Sequence, residues 1–144
     1  MLSIAYIRPQ IKNNIVAIIS LVTALSGFFY NSWRDSQNEL NQNMRNAAFE
    51  ILEDLGELQT IVNYAHYNAD ISRGSPIEGW KYAVQIRDLS RLLNKSSAEK
   101  GLALYLTWEQ DWPLLDAEAS SEQRISLAIL QARKAVLNSI DELN

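Results

Sequence analysis

Sixteen consecutive residues, Ile15 to Tyr30, carry no charge and read IVAIISLVTALSGFFY. As a helix this run spans about 24 Å, close to the ~30 Å hydrocarbon core of a bilayer. Extension back to Ile11 takes in Lys12, whose aliphatic stem can carry its ammonium to the headgroups. Phe28, Phe29, Tyr30 and Trp33 cluster where an aromatic belt would lie, with Tyr6 near the other side. The expected organisation is a short cytoplasmic N-terminus over 1–10, a transmembrane helix over 11–33 and an extracytoplasmic helical body over 34–144.

Flanking charge sets the expected orientation. Arg8 and Lys12 precede the apolar run with no acid among them, whereas Arg34 is followed by Asp35 and Glu39. The positive-inside rule then places the N-terminus in the cytoplasm. The net charge of −4 comes from 13 basic and 17 acidic residues. With Arg8 and Lys12 set aside, the body is more acidic still, which suits a solvated domain rather than one held against anionic lipid. A cleaved leader is the competing reading, since Ala24-Leu25-Ser26 offers small residues before Gly27. The apolar run continues past that point through Phe28, Phe29 and Tyr30, which favours a retained anchor. A core helix buried in the body is the third reading.

Beyond the anchor the periodicity becomes helical. Met44, Ala48, Ile51, Leu55, Leu58, Val62, Ala65 and Ala69 recur at alternating spacings of four and three. The same phase backward meets Asn41, Gln37 and Arg34, so the helix is expected to continue from the membrane without an apolar seam there. It is expected to run to about Arg73, with Gly74 as its C′ residue. Ser75-Pro76-Ile77-Glu78, Ser96-Ser97-Ala98-Glu99 and Ser120-Ser121-Glu122-Gln123 each have the pattern of a capping box. The first helix they open should bury Ile77, Trp80, Val84, Ile86, Leu89 and Leu93 and end near Asn94-Lys95. The second should bury Leu102, Tyr105, Leu106 and Trp108 and break at Asp111-Trp112-Pro113. The last should bury Ile125, Ala128, Ile129, Ala132, Val136, Ile140 and Leu143. Sustained period-two alternation is absent, so the fold class is all-α: a long helix packed with about three shorter ones as an antiparallel bundle.

Composition narrows the chemistry. With no Cys and one His, a thiolate metal site, a cysteine nucleophile and a histidine cage are all excluded. Neither a phosphate-binding glycine loop nor a GxSxG elbow occurs, and the acidic balance argues against nucleic acid. No catalytic residue, cofactor or metal ligand is assigned. The candidate ligand or partner groove comprises Tyr64, His66, Tyr67, Asp70, Trp80, Trp108 and Trp112, an aromatic set that would equally serve as core. Within it His66 and Asp70 stand at i,i+4, as a pH-responsive pair, a partial metal site or, more commonly, a structural pair. Glu50, Glu53, Asp54 and Glu57 share a helix face and read as a solvated surface, because the Glu-x-x-His partner of a di-iron bundle is missing. Ala17, Ser20, Ala24 and Gly27 form a small-residue stripe suited to a transmembrane dimer face.

The run Ile15–Trp33, the segment NAAFEILEDLGELQTIVNYAHYNAD (46–70) and the segment GWKYAVQIRDLSRLL (79–93) together resemble a family of small, single-span, mostly helical proteobacterial membrane proteins. The likeness covers about half the chain, and the family has no assigned activity and no catalytic residues to carry over. It implies a bacterial inner-membrane setting. The expected partners are therefore the lipid bilayer and either a protein partner or a second copy. A periplasmic structural or interaction module is the leading functional expectation, with a periplasmic sensory or ligand-binding bundle working through a membrane partner as the alternative.

Overall fold

A computed structural model describes residues 14–68 and 74–143. The described residues are helical, without strands. Helix α1 covers Ile15–Asn63 and passes directly into a π-helical turn, Tyr64–Asn68. Helices α2 (Pro76–Ser90), α3 (Lys95–Asp111) and α4 (Ala119–Asp141) follow, with a short 3₁₀ turn, Trp112–Leu114, between α3 and α4. The chain divides into two compact units, Met1–Leu40 and Asn41–Asn144.

In the first unit every described residue is exposed. The apolar stretch of α1 is long and hydrophobic enough to cross a membrane, and none of that stretch is buried. Its hydroxyls are satisfied within the helix: Ser20 Oγ donates to the Val16 carbonyl at 2.8 Å and Thr23 Oγ1 to the Ile19 carbonyl at 2.9 Å. That internal satisfaction is what a hydroxyl needs in lipid, where water is missing. Ala17, Ser20, Ala24 and Gly27 are exposed, and a Cβ on Gly27 would meet nothing within 4 Å.

The second unit holds the core. From α1 and the π-helical turn it takes the expected seam, Ala48, Ile51, Leu55, Leu58, Val62 and Ala65, while Met44 is half-buried. A second row at heptad spacing, Ala47, Asp54 and Ile61, is buried beside it. The buried face is wider than a two-helix seam because the second unit presents more than one helix to it. Gln59 Nε2 donates to Ser126 Oγ of α4 at 3.0 Å, Arg133 Nη2 of α4 to the Leu52 carbonyl at 3.3 Å, and Gln85 Nε2 of α2 to Glu50 Oε1 at 2.6 Å. Between α3 and α4, rising numbers meet falling ones. Ser97 Oγ reaches the Ala135 carbonyl (3.1 Å), Lys100 Nζ reaches Gln131 (3.1 Å), and Arg124 reaches Asp111.

The middle helices bury part of the faces expected, Ile86 and Trp108 fully and Trp80, Leu89, Leu93 and Tyr105 against the core, and add small residues that were not expected. In α2 the buried residues are Gly79, Ala83, Ile86 and Ser90, while Ile77 is 71% exposed. In α3 they are Ser97, Gly101, Leu104, Trp108 and Asp111, and Leu102 and Leu106 face solvent. Small residues let the two backbones approach. A Cβ on Gly101 would lie 2.5 Å from Ser90 Oγ and 3.2 Å from the Ile86 carbonyl oxygen. A Cβ on Gly79 would collide with the Trp108 indole. The last helix follows expectation more closely, with Ile125, Ile129, Ala132 and Val136 buried, joined by Ala135 and Ser139.

The helix starts also differ in chemistry. Ser75 is the N-cap of α2 with Pro76 at N1, but its side chain makes no capping bond; its carbonyl accepts from Glu78 N instead. Helix α3 is capped by Asn94, whose Oδ1 accepts from Ser97 N at 2.9 Å, so Ser96 lies inside the first turn. Helix α4 begins at Ala119, where the Glu118 carbonyl accepts from Ser121 N and Glu122 N. Gly74 serves close approach: a Cβ there would strike the Tyr64–Ala65 backbone.

Gly79→Ala is expected to lower stability by about 1–3 kcal/mol through overpacking against Trp108. Ile77→Ala, two residues away and exposed, should stay within about 0.5 kcal/mol of wild type. Urea unfolding of the full chain in detergent micelles, followed by tryptophan fluorescence, measures both.

Candidate functional site

The residues expected to share one groove are distributed between a core, an aromatic cluster and the end of α1. Trp108 is fully buried, and its Nε1 finds no hydrogen-bond partner among the described residues. Trp80 is half-buried and meets Tyr105 edge-on at 5.7 Å and Trp112 at 6.3 Å. The Arg87 guanidinium stacks over Tyr105 at 4.5 Å, extending this cluster along the α2–α3 boundary. Lys81 Nζ lies 5.1 Å from the centre of the Tyr82 ring.

At the end of α1, His66 Nδ1 lies 2.9 Å from the Leu115 carbonyl oxygen, and its ring meets Tyr67 edge-on at 4.9 Å. His66 thereby ties the π-helical turn to the residue after the 3₁₀ turn. Tyr64 is half-buried and Tyr67 exposed; with Thr60 and Asn63 they line a shallow depression of about 250 Å³. Asp70, the expected partner of His66, lies outside the described residues, as does Ala69. Among the described residues no group of three His, Cys, Asp or Glu side chains could hold a metal ion.

Two features escaped the sequence reading. One is an open groove of about 380 Å³ where α2 gives way to α3, lined by Arg87, Arg91, Lys95, Ala98, Glu99 and Leu102. Two of its cations already have acidic partners: Arg87 Nε bonds Asp88 at 2.8 Å, and Lys95 Nζ lies 3.8 Å from Glu99. The other is a pair of buried aspartates treated in opposite ways.

Asp111 is 2% exposed and accepts from both Nε (3.0 and 3.1 Å) and Nη2 (2.5 Å) of Arg124, with Ser121 Oγ at 3.4 Å. The Arg124 hydrogen bonds hold its carboxyl below the usual carboxylate range, against the effect of burial. Asp54 is 7% exposed, and its Oδ2 has no hydrogen-bond partner among the described residues. Burial, followed by the negative charges of Glu50, Glu53 and Glu57, pushes its carboxyl up to about 6, with Lys81 opposing. The acidic row is therefore not uniformly a solvated face: Glu50, Glu53 and Glu57 are exposed, and Asp54 turns into the core. The readable signal was its place between Ala47 and Ile61 at heptad spacing.

Compared with known protein families, curated proteins and solved structures, the chain matches none.

A carboxyl lowered on folding contributes stability above its unfolded value and loses it as pH falls. Asp111→Asn should cost about 2 kcal/mol at neutral pH, in the range for hydrogen bonds to charged groups. It should also flatten the loss of stability as pH falls from the ordinary carboxylate range toward the lowered value of the wild-type Asp111. Thermal melts between pH 2.5 and 7 read both effects.

Proposed function

We propose that this chain is a membrane-anchored, non-enzymatic helical protein, a structural or protein-interaction module whose bundle faces the periplasm of a bacterial inner membrane. The observation that carries the reading is the apolar stretch of α1, which no part of the described chain covers. An uncovered segment of this length and hydropathy is costly in water and stable in lipid. Arg8 and Lys12 support a cytoplasmic N-terminus. The interaction role draws on α4, where Leu127, Leu130 and Leu137 are exposed at helical spacing on a helix that also supplies the core. The same helix can therefore serve the fold on one side and a protein partner or a second copy on the other. A sensory bundle acting through a membrane partner is the second reading, favoured by the buried Asp54.

The lack of native cysteine gives a clean test. Ser3→Cys and Gln123→Cys are introduced singly and exposed to a membrane-impermeant maleimide in spheroplasts. Gln123→Cys should label in intact cells and Ser3→Cys only after lysis. The reverse pattern overturns the orientation, and recovery of the chain in the soluble fraction overturns the anchor. For the interaction role, Leu127→Glu with Leu130→Glu should abolish co-purification or self-crosslinking while leaving helicity unchanged. Retention of both associations would remove α4 as the surface.

A further inference from the structure

Resting on the reading of α4 as an interaction surface, we propose that the α1–α4 boundary of the bundle is the contact face of a two-fold dimer, with a second copy of this chain as its occupant. Three hydrogen bonds fix how the two helices run past one another. Arg45 Nη2 reaches the Leu143 carbonyl at 3.0 Å, Arg133 Nη2 the Leu52 carbonyl at 3.3 Å, and Gln59 Nε2 reaches Ser126 Oγ at 3.0 Å. Rising numbers on α1 therefore meet falling ones on α4, so Phe49, Glu53 and Gly56 stand level with Leu137, Lys134 and Leu130. Phe49, Glu53 and Gly56 share one face of α1 at i, i+4 and i+7, and Leu130, Lys134 and Leu137 share one face of α4 at the same spacing. Arg133 joins the two faces: its Nη2 bonds Leu52 and is the nearest atom that a Cβ on Gly56 would meet, at 3.9 Å. Phe49 is 60% exposed, Leu130 62% and Leu137 46%, so the boundary carries large apolar side chains that the bundle itself leaves open.

Gly56 is the first indication of a close neighbour. Glycine inside a helix weakens it relative to alanine and so calls for a reason. Gly74, Gly79 and Gly101 have one within the chain, because a Cβ at each would collide with an adjoining group. Gly56 has none: a Cβ there would meet only the flexible end of Arg133, at ordinary contact distance. Its bare backbone leaves a notch that a leucine from a second molecule can enter. Charge is the second indication. Glu53 and Lys134 are exposed, and neither has an ion-pair partner among the described residues. They are opposite in sign and level with one another across the boundary. Two copies anchored by the same end of α1 stand parallel, so the two-fold axis relating them runs along the helices. That axis lays α1 of each copy against α4 of the other at equal height. Glu53 of each copy then meets Lys134 of the other, Leu130 enters the notch at Gly56, and Phe49 packs on Leu137, every contact being made twice. An apolar centre bounded by charge that is its own complement under a two-fold rotation fits a second copy of the chain.

Sedimentation equilibrium of the full chain in density-matched detergent micelles tests this. The wild type should form a dimer. Glu53→Lys and Lys134→Glu, each alone, should weaken it roughly tenfold, because like charges then face each other twice. Both substitutions in one chain should restore it, and so should an equimolar mixture of the two single variants, where every facing pair is again of opposite sign. Gly56→Leu should weaken the dimer while helicity by circular dichroism stays at or above that of the wild type. A monomeric wild type would overturn the proposal, as would single charge variants that associate like the wild type or that are not rescued in combination. A loss of helicity in Gly56→Leu would also count against it, by giving the glycine a role within the chain. The proposed function fails separately. A monomer that still co-purifies a protein through Leu127 and Leu130 keeps the interaction module and loses the dimer. A chain recovered in the soluble fraction loses the anchor, and the charge exchange can still be read.

Discussion

The joining of α2 to the core depends on one missing side chain. The indole of Trp108 occupies the space that a Cβ on Gly79 would need. A second such position, Gly101 against Ser90, brings the α2 and α3 backbones close further along. Fully buried indole surface is among the largest single contributions a core this small can contain. Here it is available only because its neighbour presents bare backbone. The aromatic cluster of Trp80, Tyr105 and Trp112 then closes over the same boundary, with Arg87 laid across Tyr105.

The two buried aspartates show how differently one residue type can be accommodated. Asp111 stands at the end of α3, and Arg124 of α4 closes the connection between the two helices by a multidentate ion pair. Its burial is compensated by donors in good geometry. Asp54 has a similarly small exposure but no comparable donor set, and the nearest acids act against it. A buried carboxyl whose Oδ2 has no partner among the described residues is a local conflict between pattern and packing.

Much of the architecture was legible in the sequence. The α1 seam, the start of α2 at Pro76, the break at Pro113 and the apolar stripe of α4 follow from period, proline geometry and turn residues. The faces of α2 and α3 were legible only in part: Ile86 and Trp108 are buried, and Trp80, Leu89, Leu93 and Tyr105 pack against the core, as expected. Periodicity arguments follow large apolar side chains, whereas close helix packing selects small ones, sending Ile77, Leu102 and Leu106 outward and Gly79, Ala83, Ser97 and Gly101 inward. The capping boxes were over-read for a related reason. Asn94 outcompetes Ser96, and backbone carbonyls at Ser75 and Glu118 do the work assigned to hydroxyls. Within the expected groove, Trp108 belongs to the core, Trp80 and Trp112 pair with each other, and His66 bonds a backbone carbonyl whose proximity no linear spacing could reveal. Asp54 was hidden because an acid flanked by acids reads as surface.

The hydroxyls of Ser20 and Thr23 are closed onto their own helix, at Val16 and Ile19. The flank carrying Ala17, Ser20, Ala24 and Gly27 consequently offers a neighbour contour without polar demand. If, as proposed, this stretch lies in a bilayer, lateral pairing there would be governed by steric fit and acyl-chain order, and would respond to bilayer thickness and sterol-like stiffening agents while remaining indifferent to ionic strength.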